Sequence, residues 1–280
     1  MKTFGRLAAL LLAFAAAPSF AYNCTVVVTS ITTVFDPDVN ADNVSTGTYT
    51  ITCTRVAGDS ATLNWTLGSN NGLHGSRVQN AGGQRYNYDL YVPPYASGNK
   101  WQDTNATRFS GTMNFGAVGS TVIQTGTFDL ALASPQSSTG KPAGTYSDTV
   151  TVTLRNGNTT TLATGTFSVS VITTNSCQIY SPPGNIMLNY TSFQVTQATA
   201  TTTYGVRCTD ALPYTMSLDA TSGTIVGLPY TLALSAPSGT GTGNLVQTYT
   251  ITGTIAGGMA GTCATATCSG SQTRTLTVTY

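Results

Sequence analysis

The sequence predicts an all-β protein of two tandem sandwich units, the second lacking its final strand. Three observations carry this. Thr is about one residue in five, with Val, Tyr and Gly also common, a β-branched and aromatic bias that favours strands. Short segments that alternate polar and apolar residues recur along the chain, bounded by Gly, Asn, Asp or Pro, as the half-buried strands of a sandwich require. Cysteine pairs of similar spacing occur twice, Cys24 with Cys53 at 29 positions and Cys177 with Cys208 at 31, and mark an internal repeat. Lys, Gln and Leu are too sparse, and Glu is absent, for long helices.

Taken in order, residues 1–21 read as a secretory signal. Lys2 and Arg6 precede the apolar run Leu7 to Ala17, and Ser19-Phe20-Ala21 forms a small-x-small cleavage site. The run is too short to span a membrane, and no lipoprotein-type box precedes Cys24, so the mature chain is expected to begin at Tyr22. Export favours disulfides over metal sites for the six cysteines. Each long-spaced pair could join the start of a first strand to the end of a second, and Cys263 with Cys268 could staple a hairpin.

Strand candidates of the first unit are 25–29, 48–53, 62–67, 85–91, 127–133 and 148–154. Those of the second are 204–208, 214–219, 230–235, 248–255 and 274–280. The two units end alike, in Asp148-Thr-Val-Thr-Val-Thr-Leu154 and Arg274-Thr-Leu-Thr-Val-Thr-Tyr280. After the first copy comes a turn at Asn156-Gly157-Asn158 and a spare strand over 164–172, whose Phe167, Val169 and Val171 would face the core. No such strand follows the second copy. The expected organisation is a signal at 1–21, a first domain at 22–174 completed in cis by 164–172, and a second at 175–280 that needs a strand from elsewhere. An unpaired edge over an open apolar groove is a liability in water.

The full chain carries +1, and subtracting the two charges of Lys2 and Arg6 leaves −1 for the mature chain. Only 8% of residues are charged. The clustered Lys and Arg of a phosphate-binding surface are missing, which disfavours nucleic acid as a partner.

Several segments resemble the spore coat protein U family, which includes subunits of archaic chaperone–usher pili. In the first unit they are Cys24, Phe35-Asp36-Pro37, Gly47 through Cys53, Tyr88-Asp89-Leu90-Tyr91 with Trp101-Gln102-Asp103, and Gly144 through Val150. In the second they are Cys177, Asn189-Tyr190-Thr191-Ser192-Phe193, Val206-Arg207-Cys208, Tyr214 to Asp219 and the final strand. The second unit departs from the pattern in lacking the Tyr-x-Leu-Tyr…Trp element and in carrying Cys263 and Cys268.

The resemblance implies immunoglobulin-like sandwiches missing their last strand. A periplasmic chaperone fills the gap before assembly, an outer-membrane usher secretes the subunit, and the N-terminal extension of an adjacent pilin subunit supplies the strand in the fibre. Only Tyr22-Asn23 precedes Cys24 in the expected mature chain, so the chain is expected to accept a donor strand without supplying one. That places it at the pilus tip on the cell surface, as an adhesin for an abiotic or host surface that supports biofilm formation. The alternative is a secreted structural spore or cell coat protein. A third reading, a secreted carbohydrate-binding or hydrolytic protein, has no supporting motif.

By analogy with the second unit, Cys24 is expected at the end of the first unit nearest the second. The loops 30–46, 68–75, 117–125 and 155–163 would then form the far tip, with Val34, Phe35, Leu73, Val118, Val122, Ile123 and Leu162 as candidate surface-binding residues. The aromatic stretch Tyr91 to Trp101 falls at the near end and reads as structural. His74, the only histidine, reads as a solvated loop residue, and no Ser/His/Asp set assembles around it. Asp36-Pro37-Asp38-Val39-Asn40-Ala41-Asp42 alternates oxygen side chains but lacks the Gly and terminal Glu of an EF-hand loop. No catalytic residue, metal or cofactor is expected.

Overall fold

The computed structural model describes residues 22–96 and 99–280; the expected signal segment lies outside them. Among the described residues there are nineteen strands and no helix. The N-terminal half contains β1 (Asn23–Val28), β2 (Ile31–Val34), β3 (Asn43–Thr54), β4 (Thr62–Ser69), β5 (Arg77–Gln79), β6 (Arg85–Asn87), β7 (Asp89–Tyr91), β8 (Phe109–Asn114), β9 (Thr121–Leu132), β10 (Gly144–Asn156) and β11 (Thr160–Thr173). The C-terminal half contains β12 (Cys177–Ser181), β13 (Ala198–Cys208), β14 (Pro213–Leu218), β15 (Ser222–Ile225), β16 (Leu228–Leu234), β17 (Ser238–Thr240), β18 (Gln247–Ile255) and β19 (Leu276–Thr279).

In the first half one sheet runs β1-β3-β9-β7 and the other β2-β11-β10-β4-β8, with β5 and β6 attached to β10. Alternation along each strand turns one face inward. Ile51, Leu63, Leu67, Phe128, Leu130, Val150, Val152 and Leu154 are fully buried between the sheets. In the second half the sheets are β12-β13-β18-β16-β15 and β17-β14-β19, around a smaller cluster of Tyr204, Val206, Cys208, Tyr214, Met216 and Ile251.

Strand registers fix the orientation. Cys24 pairs with Cys53, which pairs with Val122. Tyr22, one residue before β1, is buried on Phe115, and its hydroxyl donates to the carbonyls of Ser60 and Thr62 at 3.0 Å. Thr62 lies beyond Trp65, the partner of Asn156 at the β10–β11 hairpin. The Cys24–Cys53 end is therefore the end away from the second half, termed the top here. β11 runs from that hairpin down to Thr173, and β12 starts at Cys177. Cys177 and Cys208, paired across β12 and β13, thus lie at the top of the second half, next to the first. The two halves stack in the same orientation. The sequence expectation placed Cys24 beside the second half, and the strand registers reverse it.

Polar contacts tie the halves together. Gly140 N donates to Asp210 Oδ1 at 2.9 Å, Thr139 Oγ1 donates to Asn244 Oδ1 at 2.6 Å, and Asp38 lies 3.8 Å from Arg207 Nε. Gly243 has φ +72°, and a Cβ there would come within 2.6 Å of the Ser138 carbonyl. Only glycine fits that approach at positive φ.

A second polar cluster braces the side of the first half. Asp103 accepts from Arg155 Nη2 at 2.7 Å and Arg108 Nε at 2.9 Å. Burial raises its carboxyl pKa, but Arg155 and Arg108 outweigh it and hold the group below the usual carboxylate range. This contribution to stability is full above the ordinary value of about 3.9 and is lost as pH falls through the lowered one. Asp103→Asn is therefore expected to cost roughly 1–2 kcal/mol at pH 7, allowing for partial exposure. The gap between the urea midpoints of the two proteins should close as pH falls through that lowered value; a gap unchanged between neutral and acid pH would show that the ion pairs contribute nothing.

Candidate functional site

The site is a slot present in both halves and, among the described residues, filled in only one. In the first half β11 fills it. β11 is antiparallel to β10, with Phe167 opposite Val150, Val169 opposite Asp148 and Val171 opposite Tyr146. Its other edge is parallel to β2, with Val169 opposite Ile31 and Ile172 opposite Val34. Phe35 N then donates to the Ile172 carbonyl at 2.9 Å. Phe167 is 3% exposed, Val169 and Val171 fully buried, and Phe167 packs on Phe128 and Trp101. Gly165 continues the inward row where a Cβ would meet the Val26 carbonyl at 2.7 Å.

The second half has the same slot with no strand in it among the described residues. β19 occupies the place of β10, pairing with β14 through Met216–Val278 and Leu218–Leu276, and its other edge has no sheet neighbour. Opposite it, where β2 stands in the first half, residues 184–190 form no strand. Ile186 and Leu188 point into the half, close enough that a Cβ on Gly253 would come within 2.9 and 3.4 Å of them. The positions that should be core are only half buried: Ile186, Leu218, Leu232, Leu234, Leu276 and Val278. The counterparts of Leu276 and Val278 in the first half, Val150 and Val152, are fully covered. The slot is an apolar floor with an unpaired strand edge, the arrangement that accepts an added strand.

The six cysteines form three disulfides, Cys24–Cys53, Cys177–Cys208 and Cys263–Cys268. The first two staple the top of each half. The third closes an exposed loop before β19.

The candidate surface residues scatter. Val118 and Ile123 are exposed at 57% and 63% at or beside the top of the first half. Val122 is there too, but its side chain packs partly against the core, as does that of Leu162. Val34 is exposed at the bottom, beside Ile172. Phe35 is 2% exposed, edge-on to Tyr86, so it is a core residue and not a surface contact. Leu73 is exposed but sits along β10, its N donating to the Thr149 carbonyl. Loops 30–46 and 68–75 are therefore not at the top. The misplaced orientation of Cys24 carried both errors.

Leu73 belongs to a loop fastened by the buried Asp148 carboxylate. Asp148 accepts from Leu73 N at 2.9 Å, Thr149 N at 2.8 Å and the Tyr88 hydroxyl at 2.8 Å, and His74 Nδ1 lies 3.1 Å away. His74 joins this anchor through its backbone, its N donating to Asp148 Oδ1 at 3.3 Å, while its Nδ1 makes no hydrogen bond. Burial, reinforced by the Asp148 hydrogen bond, raises the Tyr88 pKa. One sign of it is legible beforehand, an Asp at an inward position of β10. Asp148→Ala is expected to cost about 2–4 kcal/mol by leaving buried donors unpaired; an unchanged urea midpoint would refute the anchoring role.

The carboxylates of 36–42 are engaged within the chain. Asp36 accepts from Asp38 N at 2.9 Å, and Asp42 accepts from Ser134 N at 2.8 Å and the Tyr95 hydroxyl at 2.7 Å. Trp101 is buried, its Nε1 donating to the Leu67 carbonyl at 2.9 Å, and Tyr91 is buried as well.

Residues 10–153 match the family model of the Spore Coat Protein U domain. The chain belongs to the spore coat protein U family. Solved structures similar to this spore coat U protein include the CsuC–CsuE chaperone–tip adhesion subunit pre-assembly complex from the archaic chaperone–usher Csu pili of Acinetobacter baumannii, at 15% identity over 91% of this chain and 99% of that one, with a TM-score of 0.44. The CooA pilin subunit of enterotoxigenic Escherichia coli is 14% identical over 52% of this chain and 90% of its own, with a TM-score of 0.34. CfaE, the adhesive subunit of CFA/I fimbria of enterotoxigenic Escherichia coli, is 10% identical over 73% of this chain and 71% of its own, with a TM-score of 0.24. No curated protein matches the chain.

Proposed function

We propose that this spore coat U protein is the tip adhesin of an archaic chaperone–usher pilus. The observation that carries the reading is the contrast between the two slots: β11 lies between β10 and β2, whereas β19 and residues 184–190 flank a slot with no strand among the described residues. The second half accepts a donor strand from the adjacent pilin subunit, and a periplasmic chaperone covers the same edge before the outer-membrane usher exports the chain. The first half is already complete, and its top, turned away from the second half, is free to meet a surface. Tyr22 is folded into that top, so the residue entering β1 is committed to its own unit. No catalytic role enters the reading.

Exposure of Val118 and Ile123 at the top supports these two residues as the adhesive contact. Replacing both by Ser is expected to weaken attachment of protein-coated beads to polystyrene by roughly tenfold, the effect of losing part of two apolar contacts. Attachment equal to wild type, with an unaltered melting curve, would remove these residues from the site. Immunogold labelling of the source cells tests the tip assignment. Gold is expected at fibre ends; gold along fibres or over a coat without fibres would overturn it in favour of a shaft or coat role.

A further inference from the structure

The joint between the two halves is a template for the joint below the second half. At the bottom of the first half two stretches hold the next domain: Phe35–Asp38, which follow β2, and loop 133–143, which joins β9 to β10. They grip residues flanking the top of the second half, namely Arg207, Asp210, Gly243 and Asn244. β11 emerges between them at Thr173, beside Phe35.

The second half presents the same two stretches at its own bottom, where Ala198 pairs with Ile255. Residues 190–195 take the place of 35–38, and loop 256–275, closed by Cys263–Cys268, takes the place of 133–143. The two are fastened together: Phe193 N donates to the Met259 carbonyl at 2.8 Å, Gly258 N to the Gln194 carbonyl at 2.7 Å, and Ser192 Oγ to the Ala260 carbonyl at 2.7 Å. Phe193 is held at φ +63°, a costly conformation for a bulky residue. It is 71% exposed and Val195 93% exposed, whereas Phe35 in the first half is covered.

We propose that Phe193, Val195 and loop 256–275 form a platform that receives the body of the next subunit, an immunoglobulin-like domain docked by its cysteine-paired end. The proposal rests on the acceptor-slot reading. A strand parallel to 184–190, as β11 is to β2, enters at the top of the second half and leaves at the bottom beside Phe193, delivering its own domain onto the platform. Docking covers the apolar pair and fixes the angle between subunits, as the clamp between Gly140 and Asp210 does within the chain.

Two extensions of the full chain test this. One appends residues 155–174 after Tyr280, supplying a strand alone; the other appends 155–280, supplying the strand followed by a domain. Val195→Cys in the first copy gives the sole free thiol, since the native cysteines are paired. Maleimide labelling is expected to be unaffected by the strand alone and slowed about tenfold or more by strand plus domain, equivalent to about 1.4 kcal/mol of docking. Phe193→Ser in the first copy should restore the rate. Hydrogen exchange at β19 in the strand-only chain reports the slot separately. Protection of β19 with equal labelling in both chains overturns the platform and leaves the slot. No protection of β19 overturns both readings, whatever the labelling rate, because the strand that aims the domain is then not seated.

Discussion

Val169→Asp is expected to unfold the N-terminal half. Val169 is fully buried in β11 and stands directly opposite the buried Asp148. The substitution places a second carboxylate on the same inward face, where neither charge is solvated and like charges oppose each other. The cost should exceed about 4–5 kcal/mol, a large share of the stability of a domain this size. The graded variant Val169→Ala should cost about 2–3 kcal/mol through cavity formation alone. Urea unfolding followed by Trp65 and Trp101 fluorescence reports this half selectively, because both tryptophans of the chain lie in it. A wild-type midpoint for Val169→Ala would show that β11 is not what closes the core.

Supplying a strand to the C-terminal half should have the opposite effect. A chain with residues 155–174 appended after Tyr280 places a copy of Phe167, Val169 and Val171 over Ile186, Leu232, Leu276 and Val278. Each apolar side chain fully buried contributes about 1.5–3 kcal/mol, offset by the ordering of the strand. A net gain of roughly 3 kcal/mol would raise the melting temperature of that half by about 12–24 °C. Calorimetry and limited proteolysis distinguish the outcomes. A low, protease-sensitive transition that moves up and sharpens supports an incomplete domain. A transition indifferent to the extension would mean that the half-buried floor tolerates water, and the donor-strand reading would fall with it.

Much of the fold was legible in the sequence. Alternation placed strands at β1, β3, β4, β9, β10, β11, β13, β14, β16, β18 and β19, because a half-buried strand must alternate whatever its neighbours. It missed β2, β5, β8, β12, β15 and β17, whose existence depends on the strand beside them. Residues 85–91 were expected as one strand and form two, because the chain passes from one sheet to the other at Tyr88: β6 pairs with β5 and β7 with β9. The repeated endings around β10 and β19 exposed the difference between the halves, since one copy is followed by an apolar strand.

The candidate site divides along the same line. Which residues are apolar, which segments alternate and which cysteines share a spacing are local properties, and the sequence by itself determined them. Direction and exposure are not local. Only pairing in three dimensions put Cys24 at the far end, drew Phe35 into the core and left Phe193 outside it, although both Phe residues follow similar stretches. The difference lies in the surroundings: the Phe35 ring packs edge-on against Tyr86, whereas Phe193 sits at φ +63° and is 71% exposed.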